Sequence, residues 1–290
     1  MSQTILITGT SSGFGKLMTE SLLAKGHKVV ATMRDVEGRN KDNARELADK
    51  GAVIVEMDVT SDESVNNAVK NALASVGTID AVVNNAGIGV MGRQESFEIK
   101  DFQKLFDINV YGVQRVLRAI IPHFRENKSG SIINVSSILG RMVIPYYGPY
   151  NASKYALEAL TENYRVELSQ FGINVHLIEP GGFPTSFFAS LILPSDAARE
   201  EHYNEVHPTP QEFGDAFGEA LANNPDQKPE DVSDALVKLI ETDPADRPFR
   251  TLVDKMGMGA AVEGYNQAHE QVTKGVFSAF GIDHLLNVKH

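Results

Sequence analysis

Short apolar runs alternate with longer amphipathic stretches along this chain, and that alternation constrains its fold more than any other feature. Several of the apolar runs are almost continuously hydrophobic, as expected for a parallel sheet covered by helices on both faces. The predicted strands are Thr4–Thr8, Lys28–Met33, Ala52–Val59, Ala81–Asn84, Ser131–Ser136 and Asn174–Glu179, with a last strand near Arg250–Lys255. Repeated strand–helix–strand units predict an α/β fold with a doubly wound parallel sheet.

The helices between these strands carry recognisable end signals. Thr60 and Glu63 form a capping-box pattern that opens a helix. A stripe of apolar residues predicts one long helix over Asp101–Glu126, whose end Pro122 should distort. The stretch 186–227 contains several prolines but no predicted strand, so we expect a substrate-binding lid, an extra helix pair packed on the body, or both.

Composition excludes several classes of function. The 290 residues suit one domain over 1–290, and the net charge of -11 argues against binding nucleic acid. Because the chain has no cysteine, disulfides and thiolate metal sites are excluded, and its eight histidines show no metal-ligand spacing. No apolar run approaches the ~20 residues that span a bilayer, and the N-terminus lacks a signal-peptide pattern. We therefore expect a cytoplasmic protein without a metal.

A glycine-rich turn joins the first predicted strand to the first predicted helix. Glycines permit a tight turn and close backbone approach to a pyrophosphate, while the helix N-terminus offers free N–H groups and positive potential. Placed between a strand and a helix, this turn predicts dinucleotide binding. The residues expected to contact the dinucleotide here are Gly9, Ser11, Ser12, Gly13, Phe14 and Gly15.

Tyr150 and Lys154 are spaced by four residues, which places them one above the other on one face of a helix. A nearby ammonium favours tyrosinate and should bring the tyrosine pKa toward the working pH, so Tyr150 can exchange a proton with a substrate oxygen. Ser137 ends a sheet strand, where open α/β sheets bind ligands, and its hydroxyl can stabilise charge on that oxygen. Ser136 is the neighbouring alternative, but the thirteen-residue spacing to Tyr150 favours Ser137.

In combination, Thr8–Gly15, Asn84–Gly87, Ser137 and the Tyr150–Lys154 pair resemble the short-chain dehydrogenase/reductase family, in its shorter branch with TGxxxGxG and YxxxK motifs. The resemblance runs from about Thr4 to Thr185 and implies a Rossmann-type fold, a nicotinamide cofactor and homodimers or homotetramers. Asn109 matches the family's fourth catalytic member, which helps to hold a water that relays protons to the lysine. Its alternative role is to satisfy an irregularity in the helix.

The resemblance also implies further cofactor contacts. By likeness to the family, Lys154 should also hydrogen-bond the nicotinamide ribose, so Tyr150 and Lys154 count among the cofactor-binding residues. Asn85 and Thr8 have a purely structural alternative, in which Thr8 ties strand ends together. The other residues expected beside the adenine, the cofactor's middle and the carboxamide are Asp58, Val59, Asn84, Ala86, Gly87, Pro180, Gly181 and Thr185.

The end of the second strand bears on cofactor choice. NAD-binding proteins usually carry an acidic residue there for the ribose hydroxyls. Here Met33 takes that position and Arg34 follows it, and an arginine can pair with a ribose 2′-phosphate. We therefore predict NADP(H) in preference to NAD(H), with Asp35 as the rival if the strand ends later.

These features predict an NADP(H)-dependent oxidoreductase that acts on a hydrophobic alcohol, ketone or aldehyde. The substrate class is inferred from the apolar residues of the presumed lid. The alternatives are a catalytically idle dinucleotide sensor, an NAD(H)-dependent dehydrogenase, and an epimerase or dehydratase that recycles its cofactor.

Overall fold

The computed structural model describes residues 1–203 and 205–289, and these form a seven-stranded parallel sheet with helices on both faces. The strand order is β3-β2-β1-β4-β5-β6-β7. The strands are β1 (Thr4–Thr8), β2 (Lys28–Met33), β3 (Val53–Glu56), β4 (Ala81–Asn84), β5 (Gly130–Val135), β6 (Ile173–Pro180) and β7 (Arg250–Val253). The predicted Rossmann-type sheet is confirmed, with all seven strands at or near their expected positions.

The helices alternate with the strands as predicted. They are α1 (Gly13–Ala24), α2 (Lys41–Asp49), α3 (Asp62–Val76), α4 (Ile99–Phe106), α5 (Val113–Asn127), α6 (Gly148–Leu168), α7 (Ala197–Glu200), α8 (Pro210–Ala222), α9 (Glu230–Glu241) and α10 (Gly259–Phe280). None of the described helices combines the length and the apolar character that crossing a membrane requires.

Two apolar layers sandwich the sheet, because successive strand residues point to opposite faces. Leu6 of β1 packs into the layer that holds α3, α5 and the middle of α6. Its neighbours Ile5 and Ile7 pack into the other layer, against α1 and α9. Burial on both faces is the reason that the strands read as continuous apolar runs in the sequence.

Strand β3 ends earlier than the predicted range Ala52–Val59. The Asp58 carboxylate accepts hydrogen bonds from the Thr60 N–H at 3.0 Å and the Thr60 hydroxyl at 2.7 Å, which turns the chain out of the sheet. Thr60 is therefore engaged in this turn, and the prediction that it caps α3 is wrong. Ser61 takes that place, with its hydroxyl accepting the Ser64 N–H at 3.2 Å.

The predicted long helix over Asp101–Glu126 is divided into two helices by a π-helical segment, Asp107–Gly112. Helix α5 continues through Pro122 to Asn127, so the break lies earlier than the proline suggested. One extra residue in a turn redirects the side chains around it, and such π segments are frequent at functional sites. Here the segment contains Asn109.

The stretch 186–227 holds α7, α8 and short helical turns, with one isolated bridge between Val90 and Ile192. Buried Arg93 helps to attach it to the body, because its guanidinium donates to the carbonyl of Val206 at 2.8 Å. Asp101 accepts a hydrogen bond from the Ser195 N–H at 3.1 Å. The stretch therefore forms helices that pack on the body of the domain. Its closure over a substrate stays a prediction.

Candidate active site

The turn between β1 and α1 is built on glycines with backbone conformations or contacts that exclude side chains. Gly9 has φ +72°, and a Cβ there would lie 2.8 Å from the Ala86 Cα. A Cβ on Gly15 would lie 2.5 Å from the Asn85 side-chain nitrogen and would collide with the Gly9 carbonyl. Gly13 begins α1 with φ +54°, and a Cβ there would meet only the Ser186 hydroxyl, at 3.9 Å. The turn is therefore tight on its protein side while the helix N-terminus stays accessible, which suits a pyrophosphate.

Thr8 and Asn85 tie the ends of β1 and β4 together. The Thr8 hydroxyl accepts the N–H groups of Asn85 and Ala86, each at 3.0 Å. The Asn85 amide donates to the carbonyls of Thr8 at 2.9 Å and Gly9 at 3.1 Å. Both residues thus have the structural roles that the sequence left open for them, and Asn85 also lines the cleft described next.

A cleft of about 490 Å³ opens at the carboxyl ends of the strands. Its walls bring together residues from widely separated parts of the sequence. The predicted site residues that line it are Gly9, Ser11, Ser12, Gly13, Phe14, Arg34, Asp58, Val59, Ala86, Gly87, Ser137, Tyr150, Lys154, Pro180, Gly181 and Thr185. Ser136, the alternative to Ser137, lies in the same wall.

Three predicted residues, Gly15, Asn84 and Asn109, are not on the cleft surface. Gly15 packs against the turn beneath it. Asn84 is still part of β4, in register with Asn134, and its amide donates to the Asn134 side chain at 2.8 Å inside the protein. The expectation that Asn84 lines the cofactor's middle therefore does not fit its position. Strand alternation turns this side chain inward, while the chain turns out of the sheet only at Asn85.

Asn109 is buried in the π-helical segment and holds the backbone of Ile88. Its side-chain oxygen accepts the Ile88 N–H at 2.9 Å, and its amide donates to the Ile88 carbonyl at 2.9 Å. The same amide donates to the Ser153 hydroxyl at 3.1 Å. Because Ile88 lines the cleft, Asn109 shapes the cleft wall from behind.

Tyr150 lies in the first turn of α6, and its phenol faces Ser137 in the cleft. Burial raises the pKa of Tyr150 above its ordinary range, and hydrogen bonding with Ser137 acts in the opposite direction. The Ser137 hydroxyl also donates to the Pro180 carbonyl at 3.3 Å and accepts the Leu139 N–H at 3.1 Å. These bonds fix the Ser137 side chain in the cleft wall.

Lys154 follows one turn later and is buried beneath Tyr150. Its ammonium lies 5.6 Å from the centre of the Tyr150 ring and donates to the Val135 carbonyl at 2.9 Å. Burial lowers the pKa of Lys154 to about 8, against the opposing effect of Glu158. The expected lowering of the Tyr150 pKa by Lys154 is therefore not what this structure shows. Desolvation of the phenol is the largest effect and outweighs the attraction of the ammonium, which donates its hydrogen bond to a backbone carbonyl.

Asn151 is a positioning residue that the sequence interpretation missed. Its amide donates to the carbonyls of Leu139 at 2.9 Å and Met142 at 2.8 Å. These bonds join the start of α6 to the turn after β5, which keeps Tyr150 beside Ser137. Its position next to the tyrosine was the available signal, but an asparagine in a first helical turn has many other uses.

The loop after β2 presents two arginines to the cleft, Arg34 and Arg39. Asp35 has φ 52°, and its carboxylate accepts the Arg39 N–H at 2.9 Å, so it serves the loop and does not line the cleft. The Asn40 amide donates to the Arg34 carbonyl at 2.6 Å. The sequence interpretation missed Arg39, whose only signal was a second positive charge shortly after Arg34.

Asp58 occupies the neighbouring wall. Burial alone would raise the pKa of its carboxyl, but hydrogen bonds from Thr60 and the positive charge of Arg34 lower it below its ordinary value. Asp58 is therefore a carboxylate at neutral pH, placed beside Arg34 at the end of the cleft formed by β2 and β3.

Aromatic side chains form the wall above Tyr150. The ring centres of Tyr150 and Phe187 are 5.6 Å apart, those of Phe187 and Phe188 are 5.6 Å apart, and those of Phe188 and Phe217 are 5.8 Å apart. Tyr147 also lines the cleft. Phe187 and Phe188 belong to an apolar pair visible in the sequence, whereas Phe217 comes from α8 and carried no signal of its own.

Comparison with known proteins agrees with this architecture. A sequence model described as short chain dehydrogenase matches residues 3–194, which is well over half of the chain. The chain belongs to the short-chain dehydrogenase/reductase family. The expectation drawn from the motifs is thus confirmed.

Two curated relatives illustrate the range of this family. A 3-ketodihydrosphingosine reductase of Bacteroides thetaiotaomicron is 40% identical over 64% of this chain and 65% of its own length, just under two thirds of that protein. Retinol dehydrogenase 8 of Bos taurus is 34% identical over 82% of this chain and 78% of its own length.

Similar solved structures contain nicotinamide dinucleotides. A short-chain dehydrogenase/reductase from Burkholderia phymatum in complex with NAD has a TM-score of 0.74 and 26% identity over 94% of both chains. A gluconate 5-dehydrogenase from Burkholderia cenocepacia in complex with NADP and tartrate has a TM-score of 0.71 and 26% identity over 90% of this chain and 96% of its own. This short-chain dehydrogenase/reductase is therefore an oxidoreductase with a nicotinamide dinucleotide cofactor.

Proposed function

We propose that this protein is an NADP(H)-dependent oxidoreductase that interconverts a hydrophobic alcohol and the corresponding ketone or aldehyde. The observation that supports this most directly is the placement of the Tyr150 phenol and the Ser137 hydroxyl together in one cleft with the glycine-rich turn. A carbonyl oxygen held between those two hydroxyls lies in the same cleft as the dinucleotide-binding turn.

When bound, the reduced nicotinamide supplies the hydride. Negative charge grows on the substrate oxygen during reduction. Ser137 donates its single O–H proton to that oxygen in place of the Pro180 carbonyl, while Tyr150 transfers the proton. A raised pKa keeps the phenol protonated before the reaction, which is the state that a reductase needs. Lys154 stabilises the tyrosinate that remains. Asn109 acts indirectly, by fixing the Ile88 backbone in the cleft wall.

The preference for NADP(H) is supported by the loop after β2. Arg34 and Arg39 both reach the cleft, and arginines pair strongly with phosphate groups. The acidic rival, Asp35, uses its carboxylate on the Arg39 backbone and does not face the cleft. Two guanidiniums with no competing carboxylate from this loop favour a ribose 2′-phosphate over free ribose hydroxyls.

A hydrophobic substrate is supported by the aromatic wall above Tyr150. Phe187, Phe188 and Phe217 offer apolar ring surface, and Ile144 and Met258 extend the same lining. Burying such surface against an apolar substrate is favourable by about 25 cal/mol per Å², whereas a highly hydroxylated substrate would lose hydrogen bonds to water there.

The test is turnover of NADPH and NADH with a panel of apolar ketones and aldehydes, followed by cofactor absorbance. Wild type should consume NADPH. Tyr150→Phe should lower kcat by ~10²–10⁴-fold, the usual contribution of acid–base catalysis, with NADPH affinity almost unchanged.

Near-wild-type turnover by Tyr150→Phe would refute the role of Tyr150. Tight NADPH binding without turnover of any carbonyl would favour the dinucleotide-sensor alternative, and product formation without net cofactor consumption would favour an epimerase or dehydratase. The homo-oligomer, expected to use the helices near Asp101–Glu126 and Lys154–Gln170, and the cytoplasmic location stay predictions.

A further inference from the structure

Buried charged side chains continue from Lys154 along the same face of α6. Glu158 and Glu162 follow Lys154 by four and eight residues, so all three share one face of the helix. Charged residues from β6, β7 and the turn after β5 meet this face. The set consists of three carboxylates and two guanidiniums, from Glu158, Glu162, Glu179, Arg141 and Arg250.

Both arginines contact the same carboxylates. An Arg141 Nη lies 3.0 Å from Glu158 Oε2 and 2.8 Å from Glu162 Oε1. An Arg250 Nη lies 3.3 Å from the same Glu158 oxygen, and its Nε lies 3.2 Å from Glu179 Oε1. The side chains of Glu158 and Glu179 are only 2% and 0% exposed. Buried charges are tolerated only when they are paired, so each of these ions depends on the others.

When all three carboxylates are ionised they outnumber the two guanidiniums, and burial raises the pKa of Glu158 and of Glu179 above the ordinary range. Lys154 lies one helical turn before Glu158 and is a buried cation on the same helix. The residues of α10 that face this set add little positive charge to offset the carboxylates. There, Asn266 donates to Glu179 at 2.6 Å, His269 lies 3.6 Å from Glu162 at the half-exposed edge, and Glu263 adds a further negative charge near Glu179.

The remaining neighbours are tyrosines. Tyr265 of α10 stacks beneath the Arg141 guanidinium, 5.8 Å from ring centre to carbon, and Tyr155 of α6 lies near both of them. Neutral phenols do not alter the charge count. Among the described residues of α6, Lys154 is the buried cation on this face, one helical turn before Glu158.

The protonation of Lys154 and the protonation of Glu158 are linked. Burial lowers the pKa of Lys154 to about 8, and the Glu158 charge opposes that change. Burial and the neighbouring Glu179 raise the pKa of Glu158 to about 8, while Arg141 and Ser136 act to lower it. Two interacting groups that titrate in the same range lose their protons in two steps, and each step belongs to the pair and not to one residue. As Glu158 ionises, it favours the ammonium form of Lys154.

We propose that Glu158 is a positioning residue whose carboxylate keeps Lys154 in its ammonium form, and that Arg141 and Arg250 hold that carboxylate in place. The consequence for catalysis rests on the function proposed above, because the ammonium is what stabilises the Tyr150 tyrosinate and hydrogen-bonds the cofactor's ribose. The protonation state of Lys154 itself can be measured without any substrate or cofactor.

The experiment is a pH titration of the full-length protein by NMR, with isotope-labelled lysine and the Lys154 signal assigned by its loss in Lys154→Met. Removing a charge one helical turn away should lower the titration midpoint of Lys154 by about one unit in Glu158→Gln. At alkaline pH the same variant should bind NADPH about tenfold more weakly, which corresponds to that one-unit shift.

The matched control is Glu162→Gln. It removes a carboxylate from the same two arginines but lies about 12 Å along the helix from Lys154, against about 6 Å for Glu158. It should move the midpoint by less than half as much. Equal shifts in the two variants, or no shift in Glu158→Gln, would overturn the proposal.

Should Glu158→Gln fail to fold by circular dichroism, Glu158→Asp provides the test, because it keeps the charge but withdraws it by one methylene. It should lower the midpoint by an intermediate amount, and an unchanged midpoint would count against the proposal. If the midpoint shifts in Glu158→Gln but the wild-type protein reduces no carbonyl, this inference stands and the proposed function is refuted. If the wild-type protein reduces carbonyls but the midpoint does not shift, the proposed function stands and this inference is refuted.

Discussion

Replacing Arg34 with alanine tests the cofactor preference. Arg34 and Arg39 both line the cleft, but both side chains are exposed, so solvent screens their interaction with a phosphate. A hydrogen bond to a charged group contributes ~1.5–3 kcal/mol when it is well protected, and for these exposed side chains we take about 1–2 kcal/mol. Since 1.4 kcal/mol is a factor of ten, Arg34→Ala should lower kcat/KM for NADPH by about 5- to 30-fold.

The two arginines come from one short loop, and each should contribute a similar amount. The double variant Arg34→Ala/Arg39→Ala should then lose about 10²-fold with NADPH if the two effects add. In both variants kcat/KM for NADH should stay within about twofold of wild type, because NADH has no phosphate at that position. The loss with NADPH should also shrink as salt concentration rises, since screening weakens the wild-type interaction.

The assay is initial-rate kinetics with each cofactor at a saturating carbonyl substrate. Arg45→Ala is the matched control, because Arg45 is an exposed arginine on α2 that does not line the cleft. Asp35→Asn tests the acidic rival and should leave NADH kinetics unchanged. A wild-type enzyme that prefers NADH and keeps that preference in Arg34→Ala would refute the reasoning, as would a specific loss of NADH activity in Asp35→Asn.

Two further predictions concern stability. Gly9→Ala should lower the free energy of unfolding by about 2 kcal/mol or more, because the new residue would need a positive φ and its Cβ would lie 2.8 Å from the Ala86 Cα. Chemical denaturation measures this loss, and a denaturation midpoint equal to that of wild type would contradict the prediction. His176 is buried against the Pro248 carbonyl, and burial lowers its pKa to about 4. Folding favours its neutral form, so stability is lost as pH falls from the ordinary histidine pKa of 6.5 toward about 4, by at most ~3 kcal/mol. Denaturation curves at several pH values should show a shallower acid loss in His176→Gln than in wild type, and equal slopes would rule out this histidine as a cause.

Much of the fold and part of the site were predictable because they depend on local pattern. Continuous apolar runs identified the buried strands, and the glycine turn and the Tyr150–Lys154 spacing identified the two halves of the cleft. Predictions failed where two adjacent residues could each have filled the same structural role. Thr60 bonds to Asp58 while Ser61 caps α3, and the Asn84 amide donates to Asn134 inside the protein while Asn85 lines the cleft.

The amino-acid sequence by itself determined the order of strands and helices, the nucleotide-binding turn and the family, because these follow from periodicity, from glycine's conformational freedom and from fixed spacings. Only the tertiary structure decided which groups act on Lys154 and on the arginines after β2. Arg141, Glu158, Glu179 and Arg250 come from separate elements, and Arg39 reaches the cleft through the conformation of a loop. Electrostatic interaction depends on distance and burial, and neither quantity can be obtained from spacing along a chain.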